Sequence, residues 1–138
     1  MIMFFYDAKW KDVLPYWDIF PLIYPIEIYD DGFLGINLHY LPPVLRARLM
    51  DALYTTAVTK KDKIQRLKIS YDILASATKF APFRPCIKRY LRKHVKSRFF
   101  YVEPREWDMA LMLPTQRFVG ASDQKVWRDS RKIINKHK

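Results

Sequence analysis

The chain has 138 residues, half of them hydrophobic and 16% aromatic, and it carries a formal net charge of +11. This length and composition predict a single domain over residues 1–138, with a core that needs neither metal nor disulfide. Cys86 is the single cysteine, which excludes an intramolecular disulfide. No run of about 18 apolar residues occurs, so neither a transmembrane helix nor a membrane partner is expected.

The charge is distributed unevenly along the chain. Residues 1–40 hold two basic and six acidic residues, a net charge of −4. The remainder holds 23 basic and eight acidic residues, a net charge of +15. Such asymmetry is typical of a protein with an anionic partner, either nucleic acid or an acidic protein surface. A generally basic, solvated surface is the alternative.

The first eighteen residues predict a strand followed by a loop. Residues 2–6 are rich in apolar side chains and predict an opening strand. Residues 7–18 contain a proline and predict a loop with two tryptophans, Trp10 and Trp17. These rings either pin the loop to the core or form an exposed aromatic patch.

A β-hairpin is predicted next. Apolar residues alternate with other residues over 22–29 and again over 34–39, which is the period of two expected of strands. Gly32 follows two aspartates between these runs, and this pattern is typical of a tight turn.

Apolar spacing and capping residues predict four helices, over residues about 43–57, 70–80, 85–96 and 122–134. The first begins after a double proline, which suits a first helical turn, and places Leu45, Leu49 and Leu53 on one stripe. Ser70 and Ser122 are the predicted N-caps of the second and fourth helices.

The region between the last two helices is less regular. Residues 99–102 are aromatic and β-branched and predict a strand. Residues 105–112 are compatible with either a short helix or a strand. The fold class predicted is therefore α+β, a small antiparallel sheet with about four packed helices. A sheet curled into a small barrel is an alternative form of the same fold.

The strongest charge feature lies between residues 84 and 98, which include no acidic residue. In a helix, Lys88, Arg92 and Lys96 would lie four residues apart, opposite an apolar stripe that starts at Ile87. We expect this cationic face to contact an anionic partner, either nucleic acid or an acidic protein surface. The candidate contact residues are all seven basic residues of the segment, Arg84, Lys88, Arg89, Arg92, Lys93, Lys96 and Arg98.

No residue pattern predicts catalysis, a cofactor or a metal site. The three histidines lack the spacing of metal ligands, and His39 is expected to be a hydrogen-bonding structural residue. Cys86 and His94 would lie two turns, roughly 12 Å, apart on one helix, too far for direct proton transfer. Cys86 is instead predicted to be buried.

The metal site of a nuclease needs carboxylates that converge on the cation, and the chain has two close acidic pairs. Asp30 and Asp31 adjoin the predicted turn glycine, and Glu106 and Asp108 follow a proline at a possible helix start. Both pairs are explained by local structure, so catalysis by either is not expected.

Eight phrases are distinctive. They are YDAK (6–9), LPY (14–16), DGFLGINLHYLPP (31–43), RARLMD (46–51), KRYL (88–91), HVKSRF (94–99), WD (107–108) and VWR (126–128). Through them almost the whole chain resembles a family of small virion proteins of large contractile-tailed bacteriophages and their marine relatives.

The resemblance implies a virion protein of the tail or baseplate, made in the host cytoplasm, with other virion proteins as partners. It supplies no catalytic motif and transfers no functional residue. The function predicted is a non-enzymatic structural and assembly protein. The alternative is a DNA-binding virion protein at the head–tail joint or on the packaged DNA end, and the third reading is a nuclease.

Overall fold

An open antiparallel sheet is the framework of the computed structural model, which describes residues 1–59 and 83–136. The strands of the described part are β1 (Ile2–Met3), β2 (Trp17–Asp18), β3 (Leu22–Ile28), β4 (Gly32–Asn37), β5 (Ile87–Leu91), β6 (Phe100–Tyr101) and β7 (Phe118–Val119). Five of them form one sheet in the order β5-β4-β3-β1-β6, while β2 pairs with β7. β5 and β6 are the two edge strands and do not pair with each other. The sheet is therefore open, and the barrel alternative is wrong.

The helices of the described part are α1 (Pro43–Thr59), α2 (Trp107–Met112) and α3 (Asp123–Lys136). The first and last confirm the helices predicted there, and the backbone N–H of Lys125 donates to the Ser122 hydroxyl as the predicted N-cap requires. The segment 105–112 is helical, beginning with a 3-10 turn whose Glu103 and Glu106 form a capping box. The helix predicted over residues 70–80 lies outside the described residues. No helix in the described ranges is both long and apolar enough to cross a membrane.

The main core lies between one face of the sheet and the helices. Leu22, Tyr24 and Ile36 are buried on that face. Leu49 of α1 is fully buried against them, and Leu45 packs at the margin. The predicted stripe of α1 is thus confirmed for these two leucines, whereas the side chain of the third lies outside the described part.

The hairpin is confirmed, with β3 and β4 antiparallel and Tyr24 opposite Ile36. The role of Gly32 differs from the prediction, since its backbone does not adopt the left-handed conformation of a turn glycine. A Cβ at this position would overlap the carbonyl oxygen of Tyr90 in the neighbouring strand β5. Gly32 is therefore needed for the close approach of two strands.

The helix predicted over residues 85–96 is wrong. Residues 83–86 form a 3-10 turn, β5 follows, and Arg92–His94 form a second 3-10 turn. The fourfold apolar spacing imitates a helix, but pairing with β4 places Tyr90 opposite Phe33 and gives the segment a partner for its backbone. Lys88, Arg92 and Lys96 consequently do not share a helix face.

A second, aromatic core lies on the other face of the sheet. Phe4, Phe33 and Tyr90 are buried there, together with Tyr6 and Ile23. The ring of Phe4 meets those of Phe33 and Tyr90 edge to face, with centroids 5.5 and 5.3 Å apart. The opening strand is shorter than predicted because the chain leaves the sheet after Met3 and inserts Phe4 into this cluster.

Candidate nucleic-acid interface

The seven basic residues predicted as a contact surface lie along a segment that runs from one edge of the sheet to the other. Lys88 and Arg89 belong to the edge strand β5, and Arg92 and Lys93 to the 3-10 turn after it. The segment then continues to β6 at the opposite edge. We call this set the basic band: Arg84, Lys88, Arg89, Arg92, Lys93, Lys96 and Arg98.

Backbone hydrogen bonds hold the band in place beside the segment that follows β1. The N–H of Asp7 donates to the carbonyl of His94 (3.0 Å), and the N–H of Lys96 donates to the carbonyl of Phe5 (2.8 Å). The N–H of Phe5 in turn donates to the hydroxyl of Ser97 (2.9 Å). These bonds therefore hold the backbone of the band against the segment that follows β1.

Among the described residues, few carboxylates neutralise the charge of the band. Arg89 pairs with Asp31 at 2.6 Å, on the exposed turn of the hairpin. Within residues 1–59 and 83–136, Arg92, Lys93 and Lys96 form no ion pair and are exposed. Clustered unpaired cations repel one another unless an anionic partner compensates them. The band is thus suited to binding phosphate or carboxylate groups.

A cleft of about 470 Å³ opens next to the band, between the loop that precedes β2 and the edge strand β5. Aromatic rings and cations dominate its lining, with two carboxylates among them. The lining residues are Tyr6, Ala8, Lys9, Trp10, Leu14, Tyr16, Trp17, Asp18, Asp31, Tyr40, Lys88, Arg89, Tyr90 and Leu91.

Cations already lie over aromatic rings at this cleft. The Lys88 ammonium is 4.3 Å from the ring centroid of Tyr40, and the Lys9 ammonium is 4.9 Å from that of Trp10. Burial lowers the pKa of Lys88, because the charged amine has lost part of its water. Burial likewise raises the pKa of Tyr40, which favours the neutral phenol. The pair presents a cation and an aromatic surface together.

A buried polar network surrounds Asp18, one of the residues that line the cleft. His39 Nδ1 lies 2.7 Å from Asp18, and the Asn37 amide donates to the same carboxylate (3.1 Å). His39 Nε2 meets the hydroxyl of Thr115 at 2.9 Å. His39 is therefore the structural, hydrogen-bonding residue that its position predicts, and the network ties the β2 segment to the end of β4.

Cys86 and His94 do not form a nucleophilic pair in this fold. They lie at opposite ends of the five-residue strand β5, which spans about 16 Å. Cys86 is fully buried, as predicted, and burial raises the pKa of its thiol to about 12. The separation of two helical turns predicted for Cys86 and His94 is wrong, because the residues between them form a strand and not a helix.

Carboxylates of the two acidic pairs have local structural roles in the described part of the chain. Asp31 pairs with Arg89, and Glu106 accepts a hydrogen bond from the N–H of Glu103 in the capping box (3.4 Å). Asp108 lies in the first turn of α2. The described residues include no group of three or more His, Cys, Asp or Glu side chains placed to hold a metal ion.

Sequence reasoning missed that the cleft residues lie together. The predicted alternative of an exposed aromatic patch fits Trp10, which is 61% exposed, whereas Trp17 is half-buried. Lys9 beside Trp10 was a further signal. Tyr40 was missed, because only the folded chain brings the end of β4 next to Lys88 of β5.

A comparison with protein families identifies relatives of this chain. The family model described as the phage T4 terminal DNA protecting protein matches residues 1–136. The chain belongs to this family. No curated protein and no solved structure gives a match.

Membership in the terminal DNA protecting protein family confirms that the chain resembles bacteriophage virion proteins. It gives no support to a tail or baseplate location, and it favours the DNA-binding alternative over the structural role. The family match supplies no residue roles, so the geometry above is the basis for assigning them.

Proposed function

We propose that this protein binds the ends of packaged phage DNA and protects them from exonucleases by covering them, without catalysis. The observation that supports this most is the basic band, where Arg92, Lys93 and Lys96 are exposed and form no ion pair with any described residue. The description of the family agrees with such a role. A bound protein at a DNA end excludes a nuclease by occupying its entry point.

The phosphate backbone is the chemical partner that the band fits. Double-stranded DNA carries one negative charge per about 1.7 Å of helix axis, so an extended row of cations can meet several phosphates at once. Each phosphate neutralised releases counterions, which makes the affinity steeply dependent on salt. The proposed location is the packaged DNA end at the head–tail joint of the virion, where other virion proteins would be neighbours.

The proposal is tested with a linear duplex and a covalently closed circle of the same sequence. The purified protein is expected to bind the linear form more tightly and to slow its digestion by an exonuclease. An Arg92→Glu, Lys93→Glu variant should lose at least about tenfold in affinity and most of the protection, since it reverses two exposed cations of the band.

The control is an Arg128→Glu, Arg131→Glu variant, which makes the same change of charge on the exposed face of α3. It should keep end preference and protection if the band is the contact. Equal losses in both variants would show that net charge alone governs binding. Full protection by the band variant would refute the DNA interface and return the band to contacts with other virion proteins. DNA shortened by the protein alone in the presence of Mg²⁺ would refute the non-catalytic role.

A further inference from the structure

The cleft has a chemistry that the basic band alone does not require. Its walls carry aromatic rings, including Trp10, Trp17 and Tyr40, and cations lie beside them. Phosphate binding needs only the cations, whereas a flat ring system binds to aromatic walls by stacking. A ligand that matches both features has a planar, unsaturated ring joined to a negatively charged group.

We propose that the cleft takes an unpaired nucleobase at the end of a DNA strand, with its phosphate against Lys88 and Arg89. This inference rests on the proposed function, because it names the part of the DNA end that this surface would recognise. It explains how a protein could distinguish an end from the interior of a duplex, where every base is stacked and paired.

The size of the cleft agrees with a single nucleotide. Its volume of about 470 Å³ lies within the range of about 300–1,000 Å³ that is usual for small-ligand pockets. A base must leave the stack to enter it, and that step is easiest for a nucleotide that is already unpaired. A strand end with a short single-stranded extension therefore fits better than a blunt one.

The cleft is continuous with the basic band. A shallower depression of about 340 Å³ adjoins it and shares Lys9, Asp31 and Leu91 with it, while Arg92 and Lys93 form the other side. A strand whose terminal base lies in the cleft could therefore place its next phosphates along Arg92 and Lys93. The cleft and this depression together form a continuous surface from the terminal base to the duplex.

The carboxylates of the cleft do not oppose an anionic ligand strongly. Asp18 accepts hydrogen bonds from His39, Asn37 and backbone N–H groups, and Asp31 is paired with Arg89. The Lys88 ammonium, by contrast, has no carboxylate partner among the described residues. Its partial burial strengthens any contact with a phosphate, because less water screens the charge.

The test compares a blunt 12-base-pair duplex with the same duplex carrying four unpaired thymidines at one end. The protein should bind the extended duplex roughly tenfold more tightly, which is the effect of one stacked base. With 5-iodouracil in the extension, irradiation should crosslink the DNA to an aromatic residue of the cleft, located by mass spectrometry. The crosslink uses the unaltered protein, so it does not depend on any variant folding.

Two variants test the cleft directly. Trp10→Ala should remove most of the preference for the extended duplex while blunt-duplex binding stays, and Trp10→Phe should restore part of it. Tyr101→Ala is the matched control, because Tyr101 is 68% exposed and lies in β6 at the opposite edge of the sheet. It should leave the preference unchanged.

The outcomes separate this inference from the proposed function. Equal affinity for the two duplexes, or crosslinks only outside the cleft, would overturn the base site while the effect of the band variant on DNA binding still stands. Loss of all DNA binding in the band variant together with an intact crosslink in the parent supports both. In a further arm, competition by thymidine monophosphate would show that a free nucleotide suffices, whereas preference for the extension without such competition identifies the strand end.

Discussion

At the scale of single residues, Asp18 connects the fold to the cleft. It is buried, and it accepts four hydrogen bonds, from Phe20 N–H, the Asn37 amide, His39 Nδ1 and Arg117 N–H. Burial by itself would raise the pKa of Asp18, but the hydrogen bond and charge of His39, with the other donors, lower it below the usual value. The ionised carboxylate is therefore the form that the fold stabilises.

The first prediction concerns the stability of the protein at acidic pH. The pKa of Asp18 is lower in the folded than in the unfolded chain. Its carboxylate therefore contributes fully to stability at a pH above the unfolded-state pKa of about 4. That contribution is lost as the pH falls through the folded-state pKa. Asp18→Asn should lower the free energy of unfolding by about 1–3 kcal/mol at pH 7, since it disturbs a buried, satisfied network. The deficit should shrink in denaturant titrations below pH 4. Asp12→Asn, at an exposed position, is the control, and a deficit that stays constant with pH would contradict the assignment.

The second prediction concerns the core. Leu49 is fully buried between α1 and the sheet, so Leu49→Ala should reduce the free energy of unfolding by about 2–5 kcal/mol. Val44→Ala, on the exposed side of the same helix, should change it by less than about 0.5 kcal/mol. Urea denaturation of the two variants measures both values. Similar small losses would mean that the helix stripe does not face the core.

At the scale of elements, the strand β5 determines where the basic band lies. It pairs with β4 through a close contact at Gly32, where a side chain would overlap the carbonyl oxygen of Tyr90. The opposed Phe33 and Tyr90 rings stack with centroids 5.5 Å apart and hold the same strands together on the aromatic face. The position of Lys88 and Arg89 thus depends on a glycine in another strand.

The third prediction tests that dependence. Gly32→Ala should lower the free energy of unfolding by about 1–3 kcal/mol, because backbone atoms cannot yield as a flexible side chain would. Amide hydrogen exchange should increase in β5 more than in β3. Asp30→Ala, an exposed substitution in the same turn, should leave both unchanged. If the glycine variant were as stable as the parent, the close pairing of β4 and β5 would be wrong.

At the scale of the whole molecule, seven basic residues and no acidic residue lie on one segment that runs from sheet edge to sheet edge. The positions along it are not equivalent. Arg92 and Lys93 are exposed, whereas Lys88 is partly buried over Tyr40. A Lys88→Glu, Arg92→Glu variant would therefore bury a carboxylate and disturb the fold. Arg92→Glu with Lys93→Glu changes the charge without that effect.

The fourth prediction concerns salt. The logarithm of the DNA affinity should fall linearly with the logarithm of the salt concentration, and the slope should be shallower by about two for the variant that loses two phosphate contacts. The difference should shrink toward 1 M salt, where the Debye length is about 3 Å. Fluorescence anisotropy over a salt series measures both slopes. Parallel lines for the parent and the Arg92→Glu, Lys93→Glu variant would show that these residues do not contact phosphates.

The sequence determined the elements whose cause is local. The hairpin follows from strict alternation, α1 from its double proline and leucine stripe, and α3 from the Ser122 cap. The composition of the basic segment was also readable, because charge is a property of the residues themselves. These features need no knowledge of what packs against them.

Only the tertiary structure decided the form of the basic segment and the existence of the cleft. Residues 85–96 carry apolar side chains at fourfold spacing, yet Ile87–Leu91 within them form a strand because β4 offers backbone partners and Gly32 permits close approach. The cleft joins Lys9, Tyr40 and Lys88, which are far apart in the chain. Long-range pairing of this kind depends on the edge that another strand leaves open, and that information is not contained in the periodicity of any one segment.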